Sequence, residues 1–116
     1  MMNFSQQLWN QIIHQAVMTA CRPEPKYTVK RILSFEIPSA TEWQSITKGN
    51  PFVPNWFKDI SDTLEVKIKA LEAYQSEMRD WPHTRSIKSV EHLARWRGAS
   101  VGCEAAEAFM LIRNIT

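Results

Sequence analysis

The chain has 116 residues, 44% hydrophobic and 22% charged, with a net charge of +2, enough for one domain (1–116) with one modest core. The charges are well mixed, which argues against a dedicated nucleic-acid surface. No apolar run approaches the roughly 20 residues of a membrane span, and no basic segment followed by an apolar run marks a secretory signal, so the expected compartment is the cytoplasm.

Residues 5–21 read as a helix: Leu8, Ile12, Ala16 and Ala20 recur near the helical period, with Ile13 and Val17 widening the stripe. Arg22-Pro23-Glu24-Pro25 ends it. Residues 29–37 read as a strand with Val29, Leu33, Phe35 and Ile37 on the apolar side, Ile32 joining from the other, and Lys30, Ser34 and Glu36 opposite. Pro38 to Trp43 opens an irregular stretch, and Lys48-Gly49-Asn50-Pro51 is a turn signal. The aromatic-rich residues 52–60 contain Pro54, which places a strand at about 55–60, near a sheet edge.

Ser61 or Asp62 can cap the next helix, and Asp62 with Glu65 resembles a capping box; Leu64, Ile68, Leu71, Tyr74 and Met78 make its apolar face, and Asp80-Trp81-Pro82 stops it. Ser86 is placed to cap a further helix over about 87–98, with Val90, Leu93, Ala94 and the stem of Arg97 inward and Gly98 and Gly102 bracketing its end. From Ala106 to Ile112 the run fits a short strand or a helical turn. There is no internal repeat or linker.

Cys21 and Cys103 are the only cysteines. Their separation suits reduced, buried thiols, and a disulfide would need the fold to bring them together. The five tryptophans read as core or interface anchors. A hydrolytic zinc site needs three protein ligands and an open position. His14 and His92 lack any compact ligand spacing and read as structural. His83 lies in a loop between two helices, flanked by Pro82 and Arg85; it could hydrogen-bond or shuttle a proton, or with Arg85 merely tie down backbone carbonyls. Ser39, Thr41 and Glu42 make a polar loop after a strand, fit for ligand contact or for turn chemistry.

Three phrases in order carry a family resemblance: Phe35-Glu36-Ile37-Pro38-Ser39-Ala40-Thr41-Glu42-Trp43; Phe52-Val53-Pro54-Asn55-Trp56-Phe57-Lys58-Asp59-Ile60 running on to Leu71; and Pro82-His83-Thr84-Arg85-Ser86 through Phe109. Together they resemble the closing part of zinc-dependent N-acetylglucosaminyl deacetylases of the LmbE / PIG-L type. The resemblance implies an α/β fold, here a truncated Rossmann-like remnant of about three helices and two or three short strands, completed by oligomerisation. It makes His83, Arg85, Ser39, Thr41 and Glu42 a vestigial pocket. The family holds zinc through an N-terminal His-Pro-Asp-Asp-Glu motif, which has no counterpart here, and a later Asp-His pair, whose positions are taken by Trp9 and Asn10.

The resemblance therefore implies a non-catalytic derivative, or a gene fragment, that acts by binding or assembly. It implies no catalytic residue, no metal ligand and no cofactor, with zinc only if a partner chain supplied ligands. The alternatives are one half of a split deacetylase and a protein that binds a sugar-like small molecule. The expected partner is a second copy, as a dimer, with no nucleic acid and no membrane; a rearranged N-terminal helix is the other way to cover the exposed surface.

Overall fold

The computed structural model describes residues 4–37, 52–74, 76 and 78–116, with side chains in the first helix described from residue 11 onward. Three strands, β1 (Arg31–Phe35), β2 (Trp56–Asp59) and β3 (Ala106–Asn114), form one sheet in the order β1-β3-β2. Both pairings are antiparallel, whereas the sheet of a Rossmann-like fold is mainly parallel. Three helices complete the described elements: α1 (Phe4–Ala20), α2 (Leu64–Glu72) and α3 (Ile87–Val101). The small α/β fold of three helices and three short strands is the one the sequence leads to.

The ambiguous tail is the central strand. β3 pairs with both neighbours, so an apolar run there has a sheet partner on either edge. Phe109 stands opposite Phe35 on one side and Trp56 on the other. The register slips between Ile32 and Leu33, whose partners are Arg113 and Leu111, leaving Ile112 as the extra residue of a bulge. Just before β2 begins, the Asn55 side chain extends the ladder by accepting the Leu111 N–H at 2.6 Å.

Small residues let α3 approach the sheet. Ala94 and Gly98 are buried on the helix, and Ala105, Ala106 and Ala108 are buried beneath it. A Cβ on Gly98 would lie 2.6 Å from the Ala105 nitrogen and 2.7 Å from the Cys103 carbonyl oxygen, so only glycine fits. Ser86 caps α3 as the sequence predicts, accepting the Ser89 N–H at 3.0 Å. The helix runs past Gly98 and ends at Gly102, which takes the left-handed conformation at φ 86°.

Two expectations are corrected. α2 is short: it starts at Leu64 with Thr63 at the cap position and ends at Glu72. Asp62 therefore sits one residue too early to serve as the cap, and the 59–61 turn described below occupies the approach to the helix. Leu64 is buried, but Tyr74, assigned to the apolar face, is exposed.

The faces of β1 are also reversed. Ile32 is buried and Ser34 and Glu36 are half-buried, while Phe35 and Ile37 are exposed. Glu36 turns inward because Arg97 of α3 meets it with two hydrogen bonds, Nε to Oε2 at 3.2 Å and Nη2 to Oε1 at 2.6 Å. The bridge is mostly shielded from solvent, so the charged parity lies under the helix and the apolar parity faces away.

The core is small. Ile60, Leu64, Ala94 and Ala105 form it, with Ile68 packed alongside. It lies where α2, α3 and the adjoining ends of β2 and β3 converge.

Candidate functional site

The loop joining α2 to α3 holds His83 and Arg85 and is knitted by its own backbone. The His83 N–H donates to the Asp80 carbonyl and the Ser86 N–H to the His83 carbonyl, both at 3.0 Å, and the Arg79 N–H reaches the Arg85 carbonyl at 3.3 Å. The Arg85 N–H donates to His83 Nδ1 at 3.0 Å. That bond makes Nδ1 an acceptor, so the neutral ring carries its proton on Nε2. The imidazole thus fastens the loop through a backbone N–H and not through a carbonyl.

Beside this loop is an open cleft of about 540 Å³, with Met78, Arg79, Asp80, Trp81 and Lys88 among its lining residues. Trp81 is half exposed. Lys88 Nζ lies over its ring at 5.3 Å from the centroid, and the His92 ring meets it edge-on at 5.3 Å. Two cations, one carboxylate and an aromatic face can hold a polar ring-shaped molecule. His83 and Arg85 lie in the chain between the two halves of this wall and are not among the lining residues. Sequence reasoning missed Trp81 and Lys88 as a pair. The available signal was Lys88 and His92, four apart on one face of the helix that follows the Trp81 loop. Ser39, Thr41 and Glu42, the other candidate pocket residues, lie outside the described residues.

A second polar cluster lies at the end of β2. Asp59 Oδ1 accepts from the Ser61 hydroxyl at 2.5 Å and the Ser61 N–H at 2.9 Å. These bonds, the hydroxyl first, hold the Asp59 carboxyl below its ordinary pKa. The Ser61 oxygen in turn accepts the Ala105 N–H at 3.4 Å, and Cys103 Sγ donates to the Ala105 carbonyl at 3.5 Å. Desolvation, and then the charge of Asp59, push the Cys103 thiol above its ordinary pKa. A thiol held protonated is a poor nucleophile, so this cluster fastens the start of β3 to the β2–α2 turn. Cys21 and Cys103 are both free and half-buried.

Two apolar surfaces carry exposed side chains, the second of them only at Phe35, with Leu33, Trp56, Phe109 and Leu111 half-buried. α1 carries no Asp, Glu, Lys or Arg along its 17 residues, and its stripe residues Ile12, Ile13 and Val17 are exposed. On the sheet face away from α3, Leu33, Phe35, Trp56, Phe109 and Leu111 adjoin through the strand pairing. Phe35 is 63% exposed, and Trp56 meets Phe109 edge-on at 5.6 Å. His14 is exposed on α1 and His92 on α3.

Among the described residues, no group of three or more His, Cys, Asp or Glu side chains is placed to hold a metal ion, and no helix is long and apolar enough to cross a membrane. Comparison with protein-family models, curated proteins and solved structures finds no match to this chain.

Proposed function

We propose that this protein is a non-catalytic derivative of the LmbE / PIG-L type of deacetylase that acts by binding and assembly, as a homodimer in the cytoplasm. One observation carries the reading: Ile12, Ile13 and Val17 on a helix without Asp, Glu, Lys or Arg, and Phe35 on an aromatic sheet face, are exposed, while the core among the described residues is small. Depletion of charge and enrichment in Trp and Phe are the marks of an interface centre. The polar clusters support it too, since their hydrogen bonds serve the fold: His83 closes a loop and Ser61 joins two strand ends.

The test uses the purified chain. The expected result is a solution mass of two chains at micromolar concentration, less than stoichiometric zinc, and no acetate released from N-acetylglucosamine amides. A monomeric mass, or acetate release that tracks bound zinc, overturns the reading.

The Trp81 cleft favours a second function for the same molecule, binding of a sugar-like ligand. Trp81, Arg79 and Asp80 supply a stacking face and polar groups of both signs. Calorimetry with N-acetylglucosamine should show saturable heat that Trp81→Ala abolishes; no heat at millimolar sugar removes this reading.

A further inference from the structure

We infer that the ligand of the Trp81 cleft is a sugar that carries a phosphate group. The inference rests on the sugar-binding reading above and names the ligand's charge.

The charges of the cleft do not cancel. Its lining has two cations, Arg79 and Lys88, against one carboxylate, Asp80, and all three side chains are exposed. Among the described residues, no ion pair engages any of them. Asp80 thus neutralises neither cation by direct contact. An open cleft with two such cations attracts an anion.

The position of Lys88 decides between a neutral and an anionic ring. Its Nζ lies over the Trp81 ring at 5.3 Å from the centroid and so covers one face of the indole. A neutral sugar that stacks on that face displaces the ammonium and gives it nothing charged in return. A sugar phosphate displaces it too, but supplies a phosphate oxygen to receive it. The flexible lysine stem permits that swing, and a charge-assisted hydrogen bond to phosphate outweighs the cation–π contact it replaces. Arg79, on the opposite side of the loop, has the planar guanidinium that grips phosphate with two parallel bonds. The cleft of about 540 Å³ has room for one sugar ring and its phosphate together.

The experiment is titration calorimetry of the full chain with N-acetylglucosamine, with its 6-phosphate ester and with inorganic phosphate. At low salt the ester is expected to bind about tenfold or more tightly than the parent sugar. That ratio should fall as sodium chloride rises and screens the cations. Inorganic phosphate should bind more weakly than the ester, because it has no ring to meet Trp81.

Lys88→Gln should cut the ratio between ester and sugar to about threefold or less, and Lys88→Arg, which keeps the charge, should preserve it. Arg79→Gln gives a second variant with the same expected direction. All three changes fall at exposed positions, and circular dichroism checks that each variant folds.

Equal affinity for the two sugars, or a ratio unchanged in both glutamine variants, overturns the inference and leaves the sugar reading standing. Inorganic phosphate binding as tightly as the ester overturns it as well, because the ring then contributes nothing. Heat from none of the three compounds removes both readings.

Discussion

Gly98 and Gly102 lie four residues apart, and different physics holds each. At Gly98 the obstacle is space: a Cβ would meet three backbone atoms of residues 103 and 105 within 2.7 Å, and backbone cannot rotate away as a side chain can. Gly98→Ala should therefore cost about 3 kcal/mol or more by forcing α3 off the sheet, lowering the melting temperature by about 12 °C or more. At Gly102 there is open space but φ is 86°. Gly102→Ala carries only the left-handed penalty of about 1–2 kcal/mol. Thermal melts of the two variants check this ordering, and equal losses would refute the close approach.

Asp59 makes a residue-scale prediction of a different kind. Its carboxyl is held low by Ser61, so the unfolded chain binds this proton before the folded one does. Its contribution to stability is full above the ordinary carboxylate range and is lost as pH falls through the depressed value. Asp59→Asn keeps an oxygen for the Ser61 N–H but removes the charge. The variant should be less stable than wild type at about pH 6, and the gap in urea midpoint should narrow towards about pH 2.5.

Between elements, the Glu36–Arg97 bridge joins α3 to the end of β1 across 61 residues of sequence. Glu36→Ala leaves a guanidinium without its carboxylate in a mostly shielded position, at an expected cost of about 1–3 kcal/mol. Removing both partners should cost less than the two single losses together, with a coupling of about 1 kcal/mol or more in a urea double-mutant cycle. Additive losses would mean that the pair contributes nothing as a pair.

This bridge also explains why the parity of β1 misleads. A parity count assigns the apolar side to the core, but the helix-facing side is carried by Ile32 and an ion pair whose second member lies on α3. Helices α1 and α3 were legible because period and cap are local, as Ser86 shows. β3 was ambiguous because a central strand, like a buried helix, presents a nearly continuous apolar run. α2 was overextended because Tyr74 continues its period where no packed face receives it. The His83–Arg85 loop was legible as a special connection. The adjacent Trp81–Lys88 contact depends on how α3 leaves that loop, which spacing alone does not specify.

At the scale of the whole molecule, the core among the described residues, Ile60, Leu64, Ala94 and Ala105, is small, and large apolar groups such as Ile13, Phe35 and Trp96 are exposed. If their burial is completed by a second copy, unfolding and dissociation are one process, and stability depends on concentration. Each tenfold rise in protein concentration should then raise the melting temperature by about 3–6 °C, since mass action supplies about 1.4 kcal/mol per dimer.

The chemistry of the surfaces sets the salt response. α1 carries no Asp, Glu, Lys or Arg, and the centre of the sheet face consists of Leu33, Phe35, Trp56, Phe109 and Leu111. Screening therefore has little to act on, and sodium chloride from about 0.05 to 0.5 M should leave the dimer dissociation constant within about threefold. Ammonium sulfate, which strengthens apolar burial, should tighten it, and cooling towards 5 °C should weaken it. Scanning calorimetry across concentration and sedimentation across salt make these measurements. A steep loss of dimer with sodium chloride would place the contact on the charged surfaces instead of α1 and the sheet.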